Sequence, residues 1–185
     1  KRLSAHLVLI AIAAVGVHQT ESIQLYIPAA FVLGVVGIFL FAPLHECIHR
    51  TAFRSRWLND TVAGVAGFLL LLPPRYFRSF HLSHHRHTQV SARDPELVGK
   101  NVSTFGQYLI YVSGMLYWRD GILILIRHAM GQVTASYIGR AASQPIINEA
   151  RCYLCIYVLL AVLSAIFHTS VLVTFWLVPA ILGQP

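Results

Sequence analysis

Four apolar stretches, grouped in two pairs, dominate the pattern of hydrophobic and polar positions along the chain. Residues 25–44 contain no charged side chain, and about 20 apolar residues are needed to cross the hydrocarbon core of a bilayer as a helix. Residues 5–17 are shorter and cross only if flanking residues join them. Near the other end, residues 152–167 and 169–182 are separated by His168 alone. This pattern predicts an all-α, multi-pass transmembrane bundle with about four spans, arranged as two hairpins.

The segment between the two pairs mixes short apolar pieces with charge. Residues 61–72 are too short to span and are followed by Pro73-Pro74, so we expect them to lie shallowly in the membrane or to pack on the bundle. Residues 107–118 are rich in tyrosine, as interfacial helices are, and Arg119-Asp120-Gly121 is expected to interrupt that helix. Because no repeat or linker is evident, residues 1–185 are predicted to form a single integral-membrane domain.

The composition excludes several classes of protein. Charged residues make up 11% of the chain and hydrophobic residues 56%, whereas soluble domains carry about 25% charged residues. Such a chain is too apolar for a soluble or disordered protein, and three cysteines are too few for a disulfide scaffold. The formal net charge of +7 is better explained by contact with an anionic membrane face than by nucleic-acid binding.

The positive charges are distributed unevenly. All fourteen Lys and Arg residues lie at residues 1–2 or between Arg50 and Arg151, and the connectors 18–24 and 168–170 contain none. Since positively charged loops stay on the cytoplasmic side, both termini and residues 45–151 are predicted to be cytoplasmic. The middle segment would then form a histidine-rich helical cap on that side of the membrane.

Six of the ten histidines fall in two clusters. The first histidine cluster, directly after the strongest predicted span, is His45 and His49, which share one face of a helix at positions i and i+4. The second histidine cluster contains His81, His84, His85 and His87. Its first three members share a helix face, whereas His87 points elsewhere. Imidazole binds iron, zinc, copper or nickel, so the clusters predict a metal site with five ligands: His45, His49, His81, His84 and His85.

The first cluster alone also matches the zinc-protease motif, His-Glu-x-x-His. In that hypothesis Glu46 would be the base that activates water, and Asp60 would be the third protein ligand. An intramembrane zinc metalloprotease, however, has no use for the second histidine cluster.

The two clusters together resemble the first two histidine boxes of the membrane fatty acid desaturase family. Asn59-Asp60 after the first box and Asp94-Pro95-Glu96 after the second are further matches. The resemblance implies a di-iron centre whose ligands are the five histidines, with no catalytic residue beyond them. It also implies that O2 and electrons from a separate donor are used to introduce a C=C bond into a fatty acid or lipid. A lipid or carotenoid hydroxylase or ketolase of the same superfamily is the alternative, because both reactions begin with the same hydrogen abstraction.

The family pattern also predicts a third box, His-x-x-His-His, after the fourth span. This chain ends at Leu182-Gly183-Gln184-Pro185 without such a motif. We therefore expect the domain to be incomplete at its C-terminus, so that the five histidines form part of the full ligand set.

Arginines surround both clusters. Positive-inside topology and lipid headgroups account for them, and docking of an acidic electron donor, of the cytochrome b5 or ferredoxin type, is the functional hypothesis. A phosphate on an activated acyl group is another anion that such residues bind. The arginines concerned are Arg50, Arg54, Arg56, Arg75 and Arg78.

The charge distribution makes a prediction about sidedness. Single cysteines introduced at Thr20 and at Lys100 are expected to react with a membrane-impermeant thiol reagent from opposite sides of the membrane. Labelling of both positions from one side would contradict the two-hairpin arrangement.

Overall fold

The computed structural model describes residues 2–97 and 102–183, and within those ranges it contains helices and turns but no strand. Lys100 and the last two residues, Gln184 and Pro185, lie outside the described residues. The helices are α1 (Arg2–His18), α2 (Ile23–Ile38), α3 (Phe41–His49), α4 (Arg56–Leu69), α5 (Pro74–His87), α6 (Phe105–Val112), α7 (Met115–Ala129), α8 (Arg140–Ile166), a π-helical segment (Val173–Leu177) and α9 (Val178–Gly183). The all-α prediction is confirmed for the described residues.

Within the described ranges, two helical stretches are long and apolar enough to cross a membrane. They are Ile23–His49, which comprises α2 and α3, and Arg140–Ile166, and each has 27 residues. A third candidate is the pair α6 and α7, which bends by 60° at its break. The apolar stretches Arg2–His18 and Val173–Gly183 are shorter than a span. The structure therefore supports a protein with two or three membrane-spanning helices.

The stretch Ile23–His49 is kinked between α2 and α3. Pro43 has no amide hydrogen, and its ring would clash with the carbonyl four residues earlier, at Phe39. The chain accordingly turns at Phe39 and Leu40, where the amide of Leu40 bonds to the carbonyl of Gly37 at 3.0 Å. The carbonyl of Val36 thereby loses its usual helical partner and accepts a hydrogen bond from Nε2 of His6 at 2.8 Å. A histidine from α1 thus replaces a missing backbone hydrogen bond at the kink.

The N-terminal and C-terminal parts of the chain pack closely together where α2 crosses α9. A methyl group on Gly34 would overlap the carbonyl oxygen of Pro179, and one on Gly183 would overlap the backbone of Gly34. The hydroxyl of Tyr26 also donates to the carbonyl of Thr174 at 3.0 Å, in the π-helical segment that precedes α9. Small residues allow this approach, as is common between membrane helices.

The C-terminal end of α4 is capped by aromatic side chains from distant parts of the chain. The hydroxyl of Tyr157 donates to the carbonyl of Phe68 at 2.6 Å, and the indole of Trp176 donates to the carbonyl of Leu69 at 2.9 Å. The hydroxyl of Tyr117 donates to the carbonyl of Leu70. The last carbonyls of a helix have no partner within it, so these contacts fasten α4 to α7, α8 and the π-helical segment.

One predicted boundary is wrong. Residues 119–121 do not interrupt a helix, because α7 runs without a break from Met115 to Ala129. The break lies instead at Ser113 and Gly114, where Gly114 takes a positive φ of 70°, a conformation that costs glycine little. Arg119 and Asp120 are exposed and paired with each other at 2.8 Å, so their charges do not oppose helix formation.

The crossing of α2 and α9 predicts a sharp difference between two glycines of one helix. Gly34→Ala is expected to lower the free energy of unfolding by about 1–3 kcal/mol, because its methyl group overlaps α9. Gly37→Ala is the matched control, since nothing lies within 4 Å of a methyl group there. Thermal unfolding in detergent measures both. Equal unfolding temperatures for the two variants would contradict the close crossing.

Candidate metal centre

The first histidine cluster lies on the last two turns of α3. The imidazole rings of His45 and His49 are 4.7 Å apart between centroids, as their spacing of four residues predicts. The helix ends at Arg50, which takes the left-handed conformation with φ 63°. Beyond it the buried Asn59 binds the loop that leads to α4: its amide nitrogen donates to the carbonyls of Phe53 and Ser55 at 2.7 and 2.8 Å. This loop fixes the direction in which the chain leaves the cluster.

The second histidine cluster lies on α5, which returns past α3. The ring of His81 is 4.6 Å from that of His45 and 5.1 Å from that of His49. The ring of His85 is 5.0 Å from that of His49. Within α5, the Nε2 atoms of His81 and His85 share a hydrogen bond of 2.9 Å. Two helices separated by a loop and α4 therefore bring their imidazoles to one place.

Four of the five predicted ligands form a compact set, here called the four-imidazole group. His45, His49, His81 and His85 each offer a nitrogen, and these nitrogens all lie within 4.8 Å of one another. Two nitrogens on rings of this group, Nε2 of His49 and Nδ1 of His81, are buried without a hydrogen-bond partner. Leaving a buried polar atom unpaired is costly, and a transition metal bound by imidazole would supply partners. The residues present therefore fit a metal ion.

The protonation of His81 also suits metal binding. The side chain is 8% exposed, and burial, with the neighbouring imidazoles, lowers the pKa of His81 to about 4. The ring is consequently neutral at physiological pH, which is the form that binds a metal.

The fifth predicted ligand, His84, lies beside the four-imidazole group and outside it. Its Nδ1 donates to a carboxylate oxygen of Asp94 at 2.9 Å, so Nε2 is the nitrogen left for a ligand. Asp94 is fully buried and also accepts from the backbone amides of Gln89 and Glu96, at 3.0 and 2.9 Å. A carboxylate that binds the second nitrogen of a histidine fixes the ring's orientation. The ring of His84 is therefore fixed through Nδ1, and its Nε2 stays outside the four-imidazole group.

Glu46 supports the ring of His45 by hydrogen bonding. One carboxylate oxygen accepts from Nδ1 of His45 at 3.2 Å, and the other accepts from the hydroxyl of Thr51 at 2.7 Å. Glu46 therefore orients His45 from outside the four-imidazole group. Asp60, the third ligand in the zinc-protease hypothesis, is exposed and also outside the group. The geometry does not assemble the site that the protease hypothesis requires.

Comparison with known proteins decides the family. The family model described as fatty acid desaturase matches residues 22–185, which is most of the chain and includes both histidine clusters. The chain belongs to the fatty acid desaturase family. No solved structure gives a significant match to this desaturase-family chain.

Several curated desaturases are similar to parts of the chain. An sn-1 oleoyl-lipid 12-desaturase of Picosynechococcus sp. is 28% identical over 127 residues, which are 63% of this chain and 37% of the relative. A Delta(12) fatty acid desaturase of Mortierella isabellina is 32% identical over 80 residues, 43% of this chain and 20% of the relative. A Delta(12)-fatty-acid desaturase of Arabidopsis thaliana is 35% identical over 78 residues, with 40% and 20% covered. The chain thus covers well under two thirds of these relatives.

The arginines near the desaturase histidines differ in their surroundings. Arg50, Arg54 and Arg56 are exposed, and Nη1 of the half-buried Arg78 has no hydrogen-bond partner. Arg75 is paired with Glu149 of α8, with 3.6 Å between Nε and Oε1. Sequence analysis did not single out Glu149. The available signal was its position as the one acidic residue among residues 140–166.

The four-imidazole group predicts which histidines matter for metal binding. His81→Ala is expected to weaken Fe²⁺ binding by the intact protein by at least about a hundredfold, because one of the grouped imidazoles is lost. His87→Ala, on the same helix and outside the group, is the matched control and is expected to bind like the parent. Anaerobic Fe²⁺ titration measures both. A similar loss in the two variants would contradict this geometry.

Proposed function

We propose that the intact protein is a membrane di-iron oxidoreductase that desaturates the fatty acyl chains of lipids. The observation that carries the proposal is the convergence of imidazoles from α3 and α5 on one point, in a chain of the desaturase family. All three relatives described above are named for desaturation at position 12, and one of them is also named for an oleoyl-lipid substrate. These names support an acyl chain of a lipid as the substrate class.

The five histidines divide between two neighbouring positions in this proposal. His45, His49, His81 and His85 would hold one iron through the four-imidazole group, and Nε2 of His84 would serve the second. Iron bound there supplies the redox chemistry that an unactivated C–H bond requires, using O2 and electrons from a separate donor. The chain's own residues hold the rings in place: Glu46 orients His45, and Asp94 orients His84. The third histidine box of the family would complete the ligand set.

The arrangement in the membrane is part of the proposal. Residues 1–185 form one domain with four spans in two hairpins, in which α1 and the stretch Val173–Gly183 cross together with the two long stretches. The close crossing of α2 and α9 supports this packing, as does the bond from His6 of α1 to α2. The absence of Lys and Arg from residues 18–24 and 168–170 supports a cytoplasmic position for the histidines.

The proposed protein partner is argued from the arginines next to the first histidine cluster. The exposed Arg50, Arg54 and Arg56 adjoin the first histidine cluster, and none of them forms an ion pair with another described residue. An acidic electron-donor protein, of the cytochrome b5 or ferredoxin type, fits such a surface by charge. Arg75 is less suited to this role, because Glu149 already compensates its charge.

Product analysis tests the proposed reaction. Expression of the intact protein in a host that makes monounsaturated lipids is expected to yield acyl chains with one additional double bond, each lighter by two hydrogen atoms. Mass spectrometry of the extracted lipids measures this. Products that gain an oxygen atom instead would show the hydroxylase or ketolase reaction of the same superfamily, and would contradict desaturation.

Variants of the same protein supply the controls. His84→Ala is expected to lose iron and activity as severely as His49→Ala, because each removes a ligand. Elemental analysis is expected to find iron rather than zinc in the parent. If His84→Ala and His85→Ala kept metal while Glu46→Gln abolished cleavage of a peptide, the protease hypothesis would replace the proposal.

A further inference from the structure

The N-terminus of α5 cannot be capped by its own sequence. Pro73 precedes the helix and offers no side-chain hydrogen bond, and Pro74 is the first helical residue. Pro74 has no amide hydrogen, and the amide of Phe77 already bonds to the carbonyl of Pro73 at 2.9 Å. This leaves the backbone amides of Arg75 and Tyr76 in need of an acceptor. The nearby sequence, Leu72-Pro73-Pro74-Arg75, contains no Ser, Thr, Asn or Asp that serves as a usual cap.

Glu149, on α8, supplies the missing acceptor. Its Oε2 accepts from the amide of Arg75 at 2.8 Å, and the amide of Tyr76 is also directed to this carboxylate. Its Oε1 faces the guanidinium of Arg75 at 3.6 Å. The Glu149 side chain is only 12% exposed. One carboxylate from a helix far away in sequence therefore accepts from the free amide of Arg75 and lies beside that of Tyr76.

We infer that Glu149 is a positioning residue for the metal centre: it caps α5 from α8 and thereby holds the second histidine cluster against the first. The inference rests on the proposed metal-dependent function, because the group it positions is the set of imidazoles on α5. Glu149 itself touches neither a histidine of the two clusters nor the space between them.

The position of Glu149 explains why its effect reaches the histidines. His81 lies seven residues after Pro74, about 10 Å along the helix axis. A metal site tolerates displacements of only about 0.5 Å and rotations of about 10–20°, so α5 must be held at its start as well as along its side. The far end of α5 is held by Asp94, through His84 and the amide of Gln89. Carboxylates thus fix both ends of the helix that carries the second cluster.

A carboxylate at this place has a cost that packing alone does not require. Glu149 lies between α8 and α5 with its side chain only 12% exposed, and a carboxylate is costly to bury unless it is paired and hydrogen-bonded. An apolar side chain would fill the same volume between α8 and α5. It would leave the amides of Arg75 and Tyr76 without an acceptor and the positive end of the α5 dipole without a compensating charge.

The test uses Co²⁺ as a spectroscopic probe in the intact, metal-free protein in detergent. Glu149→Leu is expected to weaken Co²⁺ binding by roughly tenfold or more and to alter the visible absorption of the bound ion, as loss of a supporting residue does. Glu149→Gln is expected to stay within a few-fold of the parent, because its amide oxygen still accepts from the backbone amide of Arg75.

Tyr157→Phe is the matched control on the same helix. It removes the hydrogen bond from α8 to the carbonyl of Phe68 and does not contact α5, so it should lower the unfolding temperature and leave Co²⁺ binding unchanged.

If Glu149→Leu does not fold, Glu149→Asp carries the test. Its shorter side chain keeps the charge but withdraws it from the amides, and the same weakening and spectral change are expected.

Three results would overturn the inference. The first is parent-like binding by Glu149→Leu or, if that variant does not fold, by Glu149→Asp. The second is a loss in Tyr157→Phe as large as that in the Glu149 variant, since this would reveal a general effect of α8 packing. The third is an equal loss in Glu149→Gln and Glu149→Leu, because the retained acceptor would then be irrelevant. A parent protein that binds no Co²⁺ at its histidines would instead refute the proposed function.

Discussion

Polar groups in an apolar environment must find their partners within the protein, and much of this structure follows from that constraint. Water is absent from the hydrocarbon layer, so an unpaired amide, carbonyl or imidazole there is costly. The kink at Phe39 and Leu40 frees the carbonyl of Val36, and His6 binds it. The end of α4 exposes carbonyls, and Tyr157 and Trp176 bind two of them. Each irregular point of the backbone thus ties two distant helices together.

The histidines of the candidate metal centre differ in whether their ring nitrogens have hydrogen-bond partners. Nε2 of His49 and Nδ1 of His81 are buried without hydrogen-bond partners. Their lack of partners coincides with the convergence of four imidazole nitrogens within 4.8 Å. By contrast, Nδ1 of His84 and Nδ1 of His45 have carboxylate partners that fix their rings. Rings fixed by carboxylates, next to imidazole nitrogens that have no hydrogen-bond partner, suit a bound metal ion.

Carboxylates have a consistent role around this centre. Glu46, Asp94 and Glu149 lie outside the four-imidazole group, and each fixes either a histidine ring or the helix that carries one. They come from three different segments of the chain, on α3, after α5 and on α8. The geometry of the centre therefore depends on most of the fold, including a helix that contributes no histidine to it.

Much of the fold and of the candidate site followed from the sequence, because it depends on local periodicity. The apolar run at residues 25–44 predicted the span that contains α2, and the spacing of His45 and His49 placed both rings on one helix face. The break at Gly114 was missed, since a glycine inside an apolar run gives a weaker local signal than the charges at residues 119–121. Those charges are compatible with a helix because their side chains reach solvent and pair with each other.

By itself the sequence determined the helical class, the membrane character, the two histidine clusters and their resemblance to the desaturase family. Each of these depends on composition or on neighbours within a few residues. Only the tertiary structure decided that His85 joins His45, His49 and His81 while His84 turns to Asp94, and that Glu149 caps α5. These contacts depend on the relative placement of α3, α5 and α8, which are separated by tens of residues. Helix periodicity fixes which side chains share a face, whereas packing between helices decides which faces meet.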